Sequence, residues 1–211
     1  MKVALVAVVS IFVLVGGQGA YAAPVSYGNP AVSFTSPTID FSNFTDLDGW
    51  EFTVSNNITV DSLGFYDDPA VGITISHPIG IYDVATQALV LSGSVSPTDP
   101  YSNWFNWASV SPTVLTAGHT YDIVAIVGND PRTWNPVGIA FNPNVTYVRN
   151  VWSNSCSTLC FPDSSDSNPY GYFGPNFDIQ TSSPVPEPGT LVMFGSGIIG
   201  LASILRRKIN L

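Results

Sequence analysis

Tryptophan residues lie within two positions of asparagine at several places along the chain, in surroundings that suit sugar binding. The chain has five tryptophans, many for one domain. An exposed aromatic ring offers a flat apolar face to a sugar, while neighbouring amides and carboxylates can hold the hydroxyl groups. Trp50 lies in a β-rich run and is expected in the core. The candidate glycan contacts are Trp104, Trp134 and Trp152.

Aspartates cluster beside turn residues. They occur as Asp46 with Asp48, as Asp67 with Asp68, and singly at Asp130. Carboxylate and carbonyl oxygens are the ligands that calcium prefers, but the chain contains no twelve-residue calcium loop. Aspartates at strand ends usually bond to their own backbone as turn formers, which is the interpretation we favour. We therefore expect no cofactor and no metal, with calcium at these loops as the alternative.

The sequence lacks the common catalytic motifs. It contains no nucleophile elbow, no paired-histidine zinc motif and no phosphate-binding loop, and its only histidines are His77 and His119. We predict that the protein is not an enzyme and has no catalytic residues. The alternative is a secreted carbohydrate-active enzyme that uses two of the many carboxylates.

Short β-rich runs alternate with turn residues from Val32 onward. Spacings near ten residues, with Pro, Gly, Asn and Asp between the runs, predict an all-β fold, an antiparallel β-sandwich. The runs are Gly49–Val54, Ile58–Tyr66, Pro78–Val84, Ala88–Val95, Trp104–Val110, Thr120–Val127, Val137–Phe141, Val145–Val151 and Asn176–Gln180.

Three of these runs allow finer predictions. Thr120–Val127 is apolar on both faces and should be a central strand. The run Ile58–Tyr66 changes phase, which predicts a bulge near Ser62 or Gly64. Edge strands are expected near Pro143 and beyond, because proline cannot donate to an interior ladder.

The charge of the middle segment is strongly negative. Residues 23–183 contain two basic residues, Arg132 and Arg149, against 14 acids, a formal charge of −12. Such a segment repels phosphate backbones. We therefore exclude nucleic acid as a partner.

The N-terminus has the order of an export signal. Lys2 precedes the apolar run Val3–Val15, and Ala20 and Ala22 form the small-x-small pattern that signal peptidase recognises. The run is short for spanning a bilayer. We predict a signal peptide over residues 1–22 that signal peptidase removes.

Export would place the two cysteines, Cys156 and Cys160, in an oxidising compartment. We predict a disulfide between them, which would stabilise the fold by roughly 2 kcal/mol in the loop-entropy model. Free or metal-bound thiols are the alternative, although a zinc site would need further Cys or His residues nearby.

The C-terminus combines a proline-rich motif, an apolar segment and a basic end. The prolines keep the backbone extended before the apolar segment, which is predicted to be a transmembrane helix. The basic residues should stay cytoplasmic, which would put the middle segment outside. The parts are the motif at 185–190 with Pro186, Glu187 and Pro188, the helix at 190–205, and the basic stop Arg206, Arg207 and Lys208.

This tail closely resembles the PEP-CTERM sorting signal of Gram-negative bacteria. The resemblance implies recognition and removal of the tail by an exosortase-type membrane protease, followed by delivery to the cell surface or extracellular matrix. Four stretches also resemble a domain of unknown function common in such proteins, which implies a jelly-roll-like or immunoglobulin-like sandwich. They are Gly49–Val54, Ile58–Asp67, His77–Asp83 and Leu115–Tyr121.

Together these features predict an exported surface protein in three parts. Residues 1–22 are the signal peptide, 23–183 the β-sandwich domain and 184–211 the sorting signal. The expected function is that of a structural, adhesive or glycan-associated module of the cell surface or extracellular matrix, with exopolysaccharide as a partner. A secreted carbohydrate-active enzyme and an uncleaved membrane-anchored surface protein are the alternatives.

Overall fold

The computed structural model describes residues 27–41, 47–167 and 171–180, and this part of the chain is all β, with fifteen strands and no helix. None of its elements is therefore a helix that could cross a membrane. The strands are β1 (Val32–Ser33), β2 (Ile39–Phe41), β3 (Leu47–Val54), β4 (Ile58–Tyr66), β5 (His77–Asp83), β6 (Leu89–Val95), β7 (Tyr101–Ser102), β8 (Phe105–Leu115), β9 (Thr120–Ile126), β10 (Pro131–Trp134), β11 (Ala140–Phe141), β12 (Val145–Ser153), β13 (Ser164–Asp166), β14 (Tyr172–Phe173) and β15 (Pro175–Ile179).

The strands form antiparallel sheets. A six-stranded sheet has the order β13-β12-β3-β9-β5-β6, and a four-stranded sheet has the order β15-β4-β8-β7. A three-stranded sheet, β14-β10-β2, and a two-stranded sheet, β1-β11, complete the described part. The arrangement is consistent with the predicted β-sandwich. The finer likeness to a jelly roll or an immunoglobulin domain stays a prediction.

The main core lies between the six-stranded and four-stranded sheets and is rich in aromatic rings. Trp50 of β3 is fully buried, as predicted, and its ring stacks on Phe177 of β15 with centroids 6.0 Å apart. Its Nε1 donates a hydrogen bond to the carbonyl oxygen of Pro175 at 2.9 Å. Because a buried tryptophan brings a polar N–H inside, this bond is what lets the ring lie at the centre of the core.

A smaller apolar cluster lies on the opposite face of the six-stranded sheet. It consists of Leu47, Tyr82, Val124 and Val151, and it is covered by the segment 156–161. Cys156 and Cys160 form a disulfide in this segment, with their Cα atoms 6.2 Å apart. The covering segment explains why a sheet face that would otherwise meet water carries valine and leucine.

The two ends of the described domain lie side by side. The backbone N–H of Ile179 donates to the carbonyl oxygen of Asn29 at 3.0 Å, and that of Ala31 donates to Phe177 at 2.8 Å. The N–H of Asn29 also donates to the carboxylate of Asp178 at 2.9 Å. The entering segment is thus hydrogen-bonded along β15, the last strand.

Two of the finer sequence predictions are confirmed. β9 is central, since it pairs with β3 on one side and β5 on the other. The ladders of β4 with both β8 and β15 shift register between Val60 and Ser62, next to one of the two predicted bulge positions. A Cβ at Gly64, the other position, would lie 2.7 Å from the Trp107 ring, so a glycine is needed where that ring packs on the strand.

Two other predictions are confirmed only in part. The half of β12 nearest Pro143, residues 145–149, pairs with β3 alone and lies at the sheet edge, whereas Ser164–Asp166 pairs with the second half and forms the edge there. Of the run predicted at Val137–Phe141, only Ala140–Phe141 is a strand, and it pairs with the two residues of β1. Both differences arise from pairing with short segments that lack a β-rich pattern of their own.

Candidate functional site

One face of the three-stranded sheet gathers aromatic and charged side chains. β10 alternates buried Pro131 and Thr133 with partly exposed Arg132 and Trp134. Residues directly opposite on antiparallel strands lie on the same face, so the register places Asp40 beside Arg132 and Tyr172 beside Trp134. The period-two pattern of β10 therefore brings an acid, an arginine and two aromatic rings together.

Arg132 fixes the geometry of this face. Its Nε donates to the Asp40 carboxylate at 3.1 Å, and its Nη1 pairs with the buried carboxylate of Asp48. The guanidinium carbon lies 4.4 Å from the centroid of the Tyr172 ring, within range of a cation–π interaction. An arginine held at three points loses little further freedom when a ligand binds beside it.

Trp152 of β12 completes the face. Its ring meets Tyr172 edge to face, with centroids 6.2 Å apart and an interplanar angle of 83°. Two of the three predicted glycan contacts, Trp134 and Trp152, thus lie next to one tyrosine, and all three rings are partly exposed. We refer to Asp40, Arg132, Trp134, Trp152 and Tyr172 as the arginine–aromatic face.

The third predicted contact lies elsewhere. Trp104 belongs to the turn between β7 and β8 in the four-stranded sheet, where it has a positive φ of 71° and packs against the main core. Its carbonyl oxygen accepts a hydrogen bond from the N–H of Asp67 at 2.9 Å. A glycan contact at Trp104 would be separate from the arginine–aromatic face.

A second polar arrangement crosses the outward face of the six-stranded sheet. Asp122 of β9 lies opposite Glu51 of β3, which in turn lies opposite Arg149 of β12. Arg149 donates to one oxygen of Glu51 from Nε at 2.9 Å and from Nη2 at 2.7 Å. We call these three residues the carboxylate row.

Asp122 is the unusual member of the row. It is 2% exposed, and its Oδ1 has no hydrogen-bond partner within the described residues. Burial, together with the charge of Glu51, raises the pKa of Asp122 to about 7, although Arg149 acts in the opposite direction. A carboxyl group in this position titrates near neutral pH, far above its ordinary range.

The carboxylate row borders a cleft of about 200 Å³. The facing wall is the segment that follows the disulfide, with Phe161, Asp163 and Ser164 among its lining residues. Hydrogen bonds from Ser164 and Ser153 lower the pKa of Asp163, so this acid is ionised at neutral pH. We call this space the outer cleft.

Of the predicted calcium positions, Asp48 and Asp68 engage in other contacts, whereas the buried Oδ1 of Asp67 has no hydrogen-bond partner within the described residues. Asp48 pairs with Arg132, and Asp68 accepts hydrogen bonds from the Tyr66 hydroxyl at 2.9 Å and from the N–H of Ala70 at 2.8 Å. Asp46 lies outside the described residues. Within the part of the chain that the structure describes, no group of three or more His, Cys, Asp or Glu is placed to hold a metal ion.

Asp130, another of the calcium candidates, belongs to a buried histidine cluster. It accepts bonds from the N–H and hydroxyl of Thr74, each at 2.6 Å, and lies 3.0 Å from Nε2 of His77. The other ring nitrogen of His77 lies 2.9 Å from the carbonyl oxygen of Ile126. Burial lowers the pKa of His77, so its ring is neutral at pH 7 and donates from one of its two nitrogens. The cluster joins the loop after β4 to β9.

The residues predicted for export and sorting lie outside the described part of the structure. They are Ala20 and Ala22 at the signal cleavage point, Pro186, Glu187 and Pro188 in the motif, and Arg206, Arg207 and Lys208 in the basic stop.

Comparison with known proteins bears directly on that C-terminal segment. Residues 184–208 match the family model of the PEP-CTERM protein-sorting motif. The chain carries a PEP-CTERM motif. The match spans the proline-rich motif, the apolar segment and the three basic residues, as the resemblance in the sequence predicted. This motif supports an exported protein that an exosortase-type system processes and sorts to the cell surface.

No curated protein matches the chain. The family match covers the 25 residues of the motif, 184–208. It concerns the sorting of the protein. What the β-rich domain binds has to be argued from its own geometry.

Sequence reasoning missed most members of both sites, although one signal was available. Arg132 and Arg149 are the two basic residues among 14 acids, so each was bound to pair with carboxylates. Each does so within one of the two polar arrangements. The two arginines would therefore have indicated where both sites lie. They would not have shown that Tyr172 belongs to one site and Asp122 to the other.

Proposed function

We propose that the protein is a non-enzymatic, exported component of the cell surface or extracellular matrix that holds exopolysaccharide on the arginine–aromatic face. The observation that carries this proposal is the stacking of Arg132 on Tyr172, at 4.4 Å, beside the partly exposed rings of Trp134 and Trp152. Flat rings in a fixed orientation, next to a charged hydrogen-bonding group, are what a sugar ring requires.

The charges of the face favour a particular kind of glycan. The side chain of Asp40 is 38% exposed and can accept hydrogen bonds from sugar hydroxyls. Arg132 is already neutralised by Asp40 and Asp48, so the face offers no free positive charge to an acidic polysaccharide. The surrounding domain, at −12, repels one. The proposed ligand is therefore a neutral polysaccharide.

The test is glycan-array binding by the exported protein and two tryptophan variants. Trp134→Ala and Trp152→Ala each remove one ring of the face and should weaken binding by about tenfold or more, since aromatic contacts contribute on the order of 1–3 kcal/mol. Trp104→Ala removes a tryptophan from another sheet and is the matched control, expected to bind like the unmodified protein.

Two outcomes would contradict the proposal. Binding that is equal in all three variants would remove the arginine–aromatic face from the function. Release of reducing sugar from the bound glycan would instead favour the carbohydrate-active enzyme.

A further inference from the structure

The outer cleft contains a buried acid with an unused hydrogen-bonding position. Asp122 is 2% exposed and lines the cleft, yet its Oδ1 has no partner within the described residues. A buried polar oxygen without a partner is unfavourable, so such atoms usually mark a place that a ligand or water completes. In its ionised form Asp122 can only accept, so the group that completes it is a hydrogen-bond donor.

The groups around Asp122 decide which donor fits. Glu51 faces it from β3, Tyr82 faces it from β5, and Arg149 lies beyond Glu51 on β12. Arg149 gives two hydrogen bonds to Glu51, and burial raises the pKa of Tyr82, so the tyrosine stays neutral. Asp163, across the cleft, adds a further negative charge. The charges of Asp122 and Asp163 therefore lack a matching cation.

The size and lining of the cleft suit one sugar ring. Its volume of about 200 Å³ admits a monosaccharide but not a long chain. Gln87, Ser164 and Ser165 line it with groups that can both donate to and accept from hydroxyls, and Phe161 offers an apolar surface. The geometry points to a ligand that combines hydroxyl groups with one cationic N–H donor.

We propose that the outer cleft binds an amino sugar with a free ammonium group, which donates a hydrogen bond to Asp122 while Asp163 supplies further negative charge. No covalent bond is made or broken. The ammonium group donates the hydrogen bond that Oδ1 lacks. The cleft lies on the outward face of the six-stranded sheet, and none of its lining residues belongs to the arginine–aromatic face. The two proposals can therefore fail independently.

The test compares glucosamine with glucose and N-acetylglucosamine by isothermal titration calorimetry on the exported protein. Glucosamine has an ammonium group where glucose has a hydroxyl and N-acetylglucosamine has a neutral amide. We expect saturable binding of glucosamine, and binding at least about tenfold weaker for the two neutral sugars, since a hydrogen bond to a charged group contributes about 1.5–3 kcal/mol. Equal binding of the three sugars, or no binding of glucosamine, overturns the proposal.

The variant Asp122→Asn identifies the residue responsible. It should weaken glucosamine binding at least about tenfold, while Asp61→Asn, the same change on a partly exposed position of the four-stranded sheet, should leave it unchanged. Unchanged binding in Asp122→Asn overturns the assignment.

The pH dependence of the unmodified protein gives a readout that does not depend on any variant folding. The ammonium group must displace the proton of Asp122, so affinity for glucosamine should fall towards about tenfold per pH unit as the pH drops below about 7. The amine stays charged over this range. An affinity that is constant from about pH 5 to pH 7 would contradict the role of Asp122.

Discussion

Replacement of Asp122 by asparagine should make the protein more stable at alkaline pH. Burial beside Glu51 raises the pKa of Asp122 from 3.8 to about 7. Between these values the folded protein keeps a proton that the unfolded chain releases. The free energy of unfolding should therefore fall as the pH rises from about 4 to about 7, and stay low above that.

The magnitude follows from the width of this interval. Each pH unit within it changes the free energy of unfolding by about 1.4 kcal/mol, so ionising Asp122 in the folded state costs up to about 4 kcal/mol at pH 8. The asparagine side chain has nearly the same shape as that of aspartate, carries no charge, and has an amide that can donate to Glu51. The variant should be close to the unmodified protein in stability at pH 4.5 and more stable by about 2–4 kcal/mol at pH 8.

Urea denaturation at a series of pH values measures this difference. The quantity to compare is the difference in free energy of unfolding between the protein and its variant, because titrating groups remote from Asp122, including His77, cancel in it. Asp61→Asn, the same change on a partly exposed position of the four-stranded sheet, is the control. An Asp122→Asn variant that is less stable than the unmodified protein at pH 8 would refute the reasoning.

Three further predictions concern the fold and the processing. Arg132→Met removes the partner of the buried Asp48 carboxylate, so the free energy of unfolding at pH 7 should fall by about 3–5 kcal/mol. A loss below about 1 kcal/mol in urea titration would contradict the pairing. Cys156→Ser opens a loop with a sequence separation of four and should lower the free energy of unfolding by about 2 kcal/mol, with unchanged stability arguing against the disulfide. The intact mass of the mature protein should match a chain that starts near Ala23 and ends close to Pro188, whereas a mass that includes the basic stop would indicate the uncleaved, membrane-anchored alternative.

The long strands were predictable because their information is local. Ile58–Tyr66 has the predicted bounds, and its bulge was visible as a change of phase in the apolar pattern. The short strands were not predictable in this way. β2 and β14 contain three and two residues, and they exist as strands because they pair with β10, which is far away in the sequence.

The candidate sites were predictable only in part, for the same reason. Trp134 and Trp152 could be singled out from their neighbours, but their shared partner Tyr172 follows from the register of β10 and β14. Asp122 carried a signal of its own: it is an acid in a strand predicted to be apolar on both faces. Its position beside Glu51 depends on the pairing of β3 with β9, which the chain alone does not reveal.

The adjoining ends of the domain have a mechanical consequence. The C-terminal segment leaves the fold at β15, so a load transmitted through it reaches the domain first at that strand. There it is resisted by the ladder of β15 with β4 and by the hydrogen bonds to Asn29 and Ala31. None of these hydrogen bonds involves the six-stranded sheet, which carries the outer cleft. Tension on a surface-attached molecule would therefore strain the four-stranded sheet before it disturbs the cleft.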